Sequence, residues 1–250
     1  MSTEKNMLNE IEGLLCHWDF SGEDPLLSKG KYAYRLEEGN GKIALDDDAI
    51  LGTTSAHIKE GQYFYIPRKN CTGLNLRGKN AQVTVIAWVK RKKKSYVQCE
   101  AIAGMWNETD KKRQYCLFLN LRLFDSADQV CGHISGVGGP TPGQKWCIDA
   151  SIGQSPVKYD EWNAVAFTYD GNKIVSYLNG VPDLRNQHNP YSYDQGIFDG
   201  GDEGSDFTVA AVHRLGEMGN NFVGKISGLS IYDRALTPKE IEYSFKIFSR

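Results

Sequence analysis

Short runs of β-branched and aromatic residues, separated by turn residues, make up most of the chain. Such runs favour strands over helices. The predicted strands are Leu14–Phe20, Gln62–Ile66, Val83–Arg91, Ala101–Trp106, Gln114–Leu123, Val130–Ser135, Ala164–Tyr169, Lys173–Leu178, Phe207–Val212 and Phe222–Tyr232. Many short strands with little helix between them indicate an all-β antiparallel sandwich or barrel.

One helix is predicted, and it lies close to the C-terminus. Thr237 is placed to cap it, Pro238 takes the first helical position, and Glu240 follows three residues after the cap. Ile241 and Phe245 then recur at helical spacing. We therefore expect a short terminal helix that braces the strands and carries no chemistry.

Composition agrees with a folded, nearly neutral protein. The chain has 250 residues, 40% of them hydrophobic and 24% charged, and a formal net charge of −2. A balance so close to zero excludes a general attraction to nucleic acid or to an anionic membrane. Nothing between Leu14 and Tyr232 resembles an interdomain linker, so residues 1–250 are expected to form a single domain.

Membrane and export signals are missing from the sequence pattern. No apolar run approaches the roughly 18–20 residues that a spanning helix needs, and the first ten residues are polar, so we expect no membrane insertion. The six cysteines form no CxxC pair of the kind found in zinc sites. These features predict reduced thiols in a cytoplasmic protein, or a secreted one if a native leader precedes this sequence.

Three groups of segments resemble the laminin-G-like group of the concanavalin A-like lectin/glucanase superfamily. They are Leu15–Phe20 with Gly61–Pro67, Val83–Val89 with Glu161–Gly180, and Phe222–Ile241. The resemblance implies a two-sheet antiparallel jelly-roll sandwich whose concave sheet often holds a glycan. Relatives in this superfamily include lectins, glycoside hydrolases, polysaccharide lyases and adhesion modules. Function must therefore be argued from the residues of the site.

The strand Gln114–Leu123 has two chemically different faces. Alternate positions are core-like: Tyr115, Leu117, Leu119, Leu121 and Leu123. The other face carries Gln114, Cys116, Phe118, Asn120 and Arg122. Amide and guanidinium groups can hold sugar hydroxyls, and an aromatic ring can lie against a pyranose, so this face is predicted to bind sugar.

Neighbouring segments extend this predicted site. The strand Val130–Ser135 places His133 on a polar face, and the following Gly- and Pro-rich loop, residues 136–149, is expected to rim the pocket. The full set of predicted ligand-binding residues is Trp106, Gln114, Phe118, Asn120, Arg122, His133, Lys145, Trp146 and Asp149. Non-catalytic recognition of an oligo- or polysaccharide is the leading hypothesis.

Two alternatives remain open from the sequence. In a polysaccharide lyase, Arg122 would neutralise a uronate carboxylate, His133 would take the C5 proton, and Tyr191 or Tyr193 would act as the acid. A protein-interaction module is the other alternative. Glucanase activity is disfavoured, because a retaining hydrolase needs two carboxylates about 5–5.5 Å apart and Gln114–Leu123 carries none.

A metal site is not specified by any spacing, and its ligands are left unknown. Calcium is possible at the acidic stretches Asp199–Asp206 and Asp46–Asp48, which offer hard oxygen ligands without the spacing of an EF-hand loop. Many members of the resembled family hold calcium with an aspartate where this chain has Ser227, which counts against a site of that type here.

Overall fold

A computed structural model describes residues 11–248 of the chain. Its strands are β1 (Leu14–Trp18), β2 (Glu37–Gly39), β3 (Ala44–Asp46), β4 (Ser55–Ile58), β5 (Tyr63–Ile66), β6 (Val83–Arg91), β7 (Glu100–Asn107), β8 (Lys112–Leu119), β9 (Val130–Ile134), β10 (Ala150–Ile152), β11 (Asn163–Tyr169), β12 (Lys173–Leu178), β13 (Val181–Pro182), β14 (Tyr191–Ser192), β15 (Phe207–Val209), β16 (Val212–Arg214), β17 (Glu217–Gly219) and β18 (Gly224–Tyr232). Two 3-10 helices, Arg68–Asn70 and Thr72–Leu74, and one α-helix, α1 (Pro238–Phe248), accompany them.

The strands form two sheets. The first sheet has the order β13-β12-β11-β6-β18-β4-β3, with β1 paired to β18 and β14 to β12. The second has the order β10-β9-β8-β7-β15-β5-β2, and β16 joins it beside β7 and β17. Pairing between these strands is antiparallel apart from a parallel bridge between β16 and β7, and an isolated parallel bridge also joins Arg91 to Tyr159. The predicted all-β sandwich with a short C-terminal helix is confirmed.

The main core lies between the two sheets. Alternation along β6 sends Val85, Ala87 and Val89 into it, and alternation along β8 sends Tyr115, Leu117 and Leu119 into it. The aromatic rings of Trp18 and Phe207 stack within the core at 5.8 Å between centroids. The inward positions predicted for the part of the sequence that forms β8 are therefore confirmed as buried.

Helix α1 covers the outer face of the first sheet. Its N-terminus is a capping box, because the Thr237 amide donates to Glu240 Oε2 at 2.7 Å and the Glu240 amide donates to Thr237 Oγ1 at 3.3 Å. Ile241 of the helix packs with Trp88 and Tyr177 of the sheet in a second buried cluster. A cavity of only about 10 Å³ remains beneath the helix.

Left-handed backbone residues shorten or divide some of the predicted strands. The strand predicted over Gln114–Leu123 stops at Leu119, because the backbone turns left-handed at Asn120 (φ 59°) and Arg122 (φ 58°). The strand predicted over Phe207–Val212 divides at Ala210, which has φ 70°. A β-strand requires negative φ, so alternation cannot continue through these residues.

Candidate functional site

A pocket lies on the outer face of the second sheet, on the side opposite the main core. Its cavity volume is about 260 Å³, just below the range of about 300–1,000 Å³ typical of ligand pockets. The lining residues are Cys99, Trp106, Glu108, Arg113, Phe118, Leu121, Arg122, Leu123, His133, Trp146, Cys147, Arg214 and Asn220. Among them are Trp106, Phe118, Arg122, His133 and Trp146 from the predicted set.

Three rings from adjacent strands form the floor of the pocket. The Trp106 and His133 rings are 4.4 Å apart between centroids, and Phe118 meets both edge-on at 5.7 and 5.8 Å. All three side chains are almost fully buried, so each ring already packs against its neighbours. Trp106 and Phe118 therefore support the site from below and are not open plates for a sugar ring.

His133 is an unusual member of this floor. Its side chain is 4% exposed, and neither ring nitrogen has a hydrogen-bond partner among the described residues. Burial, together with the nearby positive charge of Arg113, lowers the pKa of His133 to about 3, and the Cys147 backbone offsets only part of this shift. The imidazole is therefore neutral, with one donor and one acceptor nitrogen.

A β-bulge decides which polar residue reaches the pocket from β8. Met105 pairs with Tyr115 and Trp106 pairs with Arg113, which leaves Gln114 as an extra residue between the two pairs. The extra residue shifts the alternation by one position. Arg113, 5% exposed, consequently lines the pocket beside Trp106, whereas Gln114 does not.

Gln114 is instead a buried structural residue, which corrects its predicted placement. Its Nε2 donates to Asn75 Oδ1 and to the Phe198 carbonyl, both at 2.8 Å, and to a third protein acceptor. Its Oε1 accepts from Arg68 Nη1 at 3.0 Å. Both amide hydrogens and one lone pair of the oxygen are thus committed to protein groups, so Gln114 holds neighbouring segments together and does not face the pocket.

The left-handed segment after β8 separates two residues that were predicted to share a face. Asn120 is buried, and its Nδ2 donates to the Gln98 carbonyl at 3.2 Å, away from the pocket lining. Arg122 is exposed and lines the pocket. The structure therefore places Arg122 at the pocket and Asn120 away from it.

The loop that carries Trp146 is pinned by an internal set of hydrogen bonds. Thr141 Oγ1 donates to Asp149 Oδ2 and accepts from the Ile148 amide at 2.9 Å. The Tyr191 hydroxyl donates to Asp149 Oδ1 at 3.3 Å. Trp146 lies in this loop at the pocket and is 47% exposed.

Lys145 and Asp149 act within this loop and do not line the pocket, contrary to expectation. Lys145 Nζ lies 4.9 Å from the centroid of the Trp146 ring, a cation–π geometry. Asp149 is 7% exposed, and burial raises the pKa of its carboxyl group. Both residues stabilise the presentation of Trp146 and stay outside the cavity.

Four lining residues carry polar groups that the sequence analysis missed: Glu108, Arg113, Arg214 and Asn220. Glu108 Oε1 accepts from Trp106 Nε1 at 3.2 Å and from Asn220 Nδ2 at 3.3 Å. Arg214 reaches the pocket because β16 turns back beside β7 after the break at Ala210. The Gly and Asn residues around this hairpin indicate a turn in the sequence. They do not indicate that the hairpin lies beside β7, because that position depends on the tertiary fold.

The remaining parts of the lyase alternative lie elsewhere. Tyr193 accepts from the Gly136 amide at 2.6 Å, and Tyr191 is bound to Asp149, so neither lines the pocket. Burial raises the pKa of both phenols. Neither of the tyrosines proposed as the acid therefore lines the pocket together with His133.

The acidic stretches considered for calcium are occupied by basic side chains. Lys225 Nζ lies 2.9 Å from Asp46 Oδ2 and 2.8 Å from Asp48 Oδ2. In the other stretch, the Gly201 carbonyl accepts from Arg68 Nη2 at 2.6 Å. Ser227 Oγ accepts from the Leu51 amide at 2.8 Å. Within residues 11–248 no group of three or more His, Cys, Asp or Glu residues is arranged to hold a metal ion.

Comparison with protein families gives the same architecture. A laminin-G-type family model, described as the concanavalin A-like lectin/glucanases superfamily, matches residues 59–242. The chain belongs to this superfamily. Among curated protein sequences, no relative matches it. No helix in the described part of the chain is long and apolar enough to cross a membrane.

Several solved structures share this fold. Domain 4 of the extracellular arabinanase AbnA from Geobacillus stearothermophilus, solved with arabinotriose, is 18% identical, with a TM-score of 0.60 and coverage of 95% of this chain and 98% of that one. The binding domain of botulinum neurotoxin serotype G is 11% identical (TM-score 0.61; coverage 94% and 51%). A botulinum neurotoxin type C structure, described as interacting with two ganglioside molecules, is 11% identical (0.61; 98% and 53%). The present chain spans about half the length of the toxin chains that it matches. At these low sequence identities, the similarity establishes the fold alone.

Proposed function

We propose that this protein is a carbohydrate-binding module that holds a glycan in the pocket of the second sheet and does not cleave it. The observation that carries the proposal is the combination of an exposed indole, Trp146, with a buried imidazole, His133, that has no partner of its own among the described residues. An apolar plate beside free donors and acceptors is the chemistry that recognises a sugar ring and its hydroxyls.

The cost of burying an unsatisfied polar group supports a ligand at this position. Leaving a buried donor or acceptor unpaired costs about 1–3 kcal/mol per group. A hydroxyl bound above the floor would recover part of that cost at His133. The similar structures solved with arabinotriose and described with gangliosides agree with a sugar ligand, although they share at most 18% identity with this chain.

Binding is favoured over lyase chemistry by the state of His133. A base with a pKa of about 3 has little affinity for the C5 proton of a uronate, and a general base works best with a pKa near the operating pH. The tyrosines proposed as acids lie outside the pocket. The protein-interaction alternative stays a prediction.

A glycan array probed with the wild-type protein and with Trp146→Ala tests the proposal. We expect wild type to retain at least one glycan without releasing product, and Trp146→Ala to bind it about tenfold more weakly, a loss of about 1.4 kcal/mol. Tyr243→Ala is the matched control, because Tyr243 is 41% exposed on helix α1, beyond the other sheet.

Two results would contradict the proposal. One is the absence of binding to every glycan on a broad array. The other is binding that Trp146→Ala leaves unchanged, which would place the ligand elsewhere on the molecule. Release of an unsaturated uronate product, followed by its absorbance and lost in His133→Ala, would restore the lyase alternative.

A further inference from the structure

The charged side chains around the pocket are unevenly balanced. Three arginines, Arg113, Arg122 and Arg214, line it, against one carboxylate, Glu108, among the described residues. His133 adds no charge, since burial keeps it neutral. The lining therefore carries two surplus positive charges, in a protein whose overall formal charge is −2.

The single carboxylate is already committed to other groups. Glu108 Oε1 accepts from Trp106 Nε1 and Asn220 Nδ2. Glu108 Oε2 lies 3.7 Å from Arg214 Nε and 4.0 Å from Arg113 Nη2. One carboxylate thus serves two guanidinium groups and compensates only one of them.

Arg122 stands outside this network. Within the described part of the chain, its guanidinium makes no hydrogen bond and no ion pair, and it is exposed at the edge of the cavity. The side chain of Arg214 is 31% exposed, and its Nε lies 3.7 Å from Glu108 Oε2. Part of its guanidinium group therefore also faces the opening. A guanidinium presents a planar fork that matches a carboxylate or a sulfate better than it matches a hydroxyl.

From these contacts we infer that the glycan carries an anionic group, a carboxylate or a sulfate ester, held by Arg122 and Arg214 at the rim of the pocket. This inference rests on the proposed function, since it names the class of sugar that the same pocket takes. The neutral part of the sugar lies against Trp146 and reaches toward the free nitrogens of His133. Arg113, buried behind Trp106, contributes positive potential without direct contact.

Matched pairs of oligosaccharides separate charge from sugar identity. Galacturonic, glucuronic and sialic acid oligosaccharides are each measured beside their methyl esters, and sulfated oligosaccharides beside their desulfated forms, by calorimetric titration. We expect at least one charged member to bind tenfold or more tightly than its neutral partner. That preference should shrink between 50 and 500 mM salt. The carboxylate and sulfate arms show which anion the site takes.

Arg122→Gln should reduce the preference for the charged member over its neutral partner about tenfold. Arg77→Gln is the control, because Arg77 pairs with Asp199 at 3.3 Å and does not line the pocket. Equal binding of charged and neutral partners would overturn the inference while leaving the proposed function intact. Failure of every oligosaccharide, charged or neutral, would overturn both.

Discussion

The two outer faces of the sandwich start from similar material and end differently. Each presents a buried tryptophan among apolar neighbours, Trp88 on the first sheet and Trp106 on the second. Helix α1 lies over Trp88 and leaves about 10 Å³ of space, whereas over Trp106 the described residues place loops and a hairpin around a cavity of about 260 Å³. The candidate pocket is a sheet face that no helix of the described chain covers.

A pair of buried histidines sharpens the contrast. His17 of the first sheet has Nδ1 2.8 Å from Ser230 Oγ, whereas His133 of the second has no such partner in the described chain. Burial is the main cause that lowers the pKa of both, to about 4 for His17 and about 3 for His133. The two histidines therefore have similar burial and similarly lowered pKa values, and they differ in their hydrogen-bond partners.

The largest expected effect falls on the covered face. Ile241→Ala removes a buried side chain, 3% exposed, from the contact between helix α1 and Trp88, and should lower the free energy of unfolding by about 2–4 kcal/mol. Denaturant unfolding measures the loss, and glycan affinity of the folded protein should stay unchanged. A matching loss of affinity would show that the two faces are coupled, and the comparison would fail.

A smaller effect is expected from the loop on the open face. Thr141→Val removes the hydroxyl that bonds Asp149 and the Ile148 amide, so it should lower the free energy of unfolding by about 1–2 kcal/mol. Trp146 would lose its fixed position, and glycan affinity should fall severalfold although Thr141 lies outside the cavity lining.

Thr141→Ser tests whether the effect of Thr141→Val comes from the lost hydroxyl or from a general disturbance of this loop. It keeps the hydroxyl and should restore both stability and affinity. If Thr141→Val weakens stability but leaves affinity intact, the Thr141–Asp149 bond does not position Trp146.

The smallest effect concerns the pH dependence of stability. In the unfolded chain a histidine titrates near pH 6.5. Between that pH and the folded value of about 3, the unfolded state binds a proton that folded His133 refuses, so stability falls as the solution is acidified. His133→Gln should reduce the loss between pH 7 and pH 5.5 by about 1 kcal/mol, measured by urea unfolding. His17 keeps its own contribution in the variant, so an unchanged slope would mean that His133 is protonated in the fold.

Sequence patterns predicted the sandwich well because alternation along a strand is local. Leu117 and Leu119 point to the core and Phe118 to the pocket, as alternation requires. The pattern failed at both ends of the same strand. At one end an extra residue, Gln114, changes the face, and at the other the left-handed backbone at Asn120 ends the strand.

The missing pocket residues lie beyond the reach of local patterns. Glu108 and Arg214 are 106 positions apart in the sequence and meet only because β16 folds back beside β7. Nothing near either residue in sequence signals the other. Trp146 was predicted because its loop is unusual in composition, with glycines and prolines before the indole. Contact of all these residues with a ligand stays a prediction.

The extra residue in β8 divides the strand into two parts, or phases, in which alternate positions face outward in a different register. Before Gln114 the odd-numbered position Arg113 points outward, and after it the even-numbered position Phe118 does. Without the bulge, Gln114 would face the cavity in place of the Arg113 guanidinium. Removing Gln114 would restore that single phase, place Arg113 directly before Tyr115 on the outward face, and so keep both the guanidinium and the aromatic floor at the pocket.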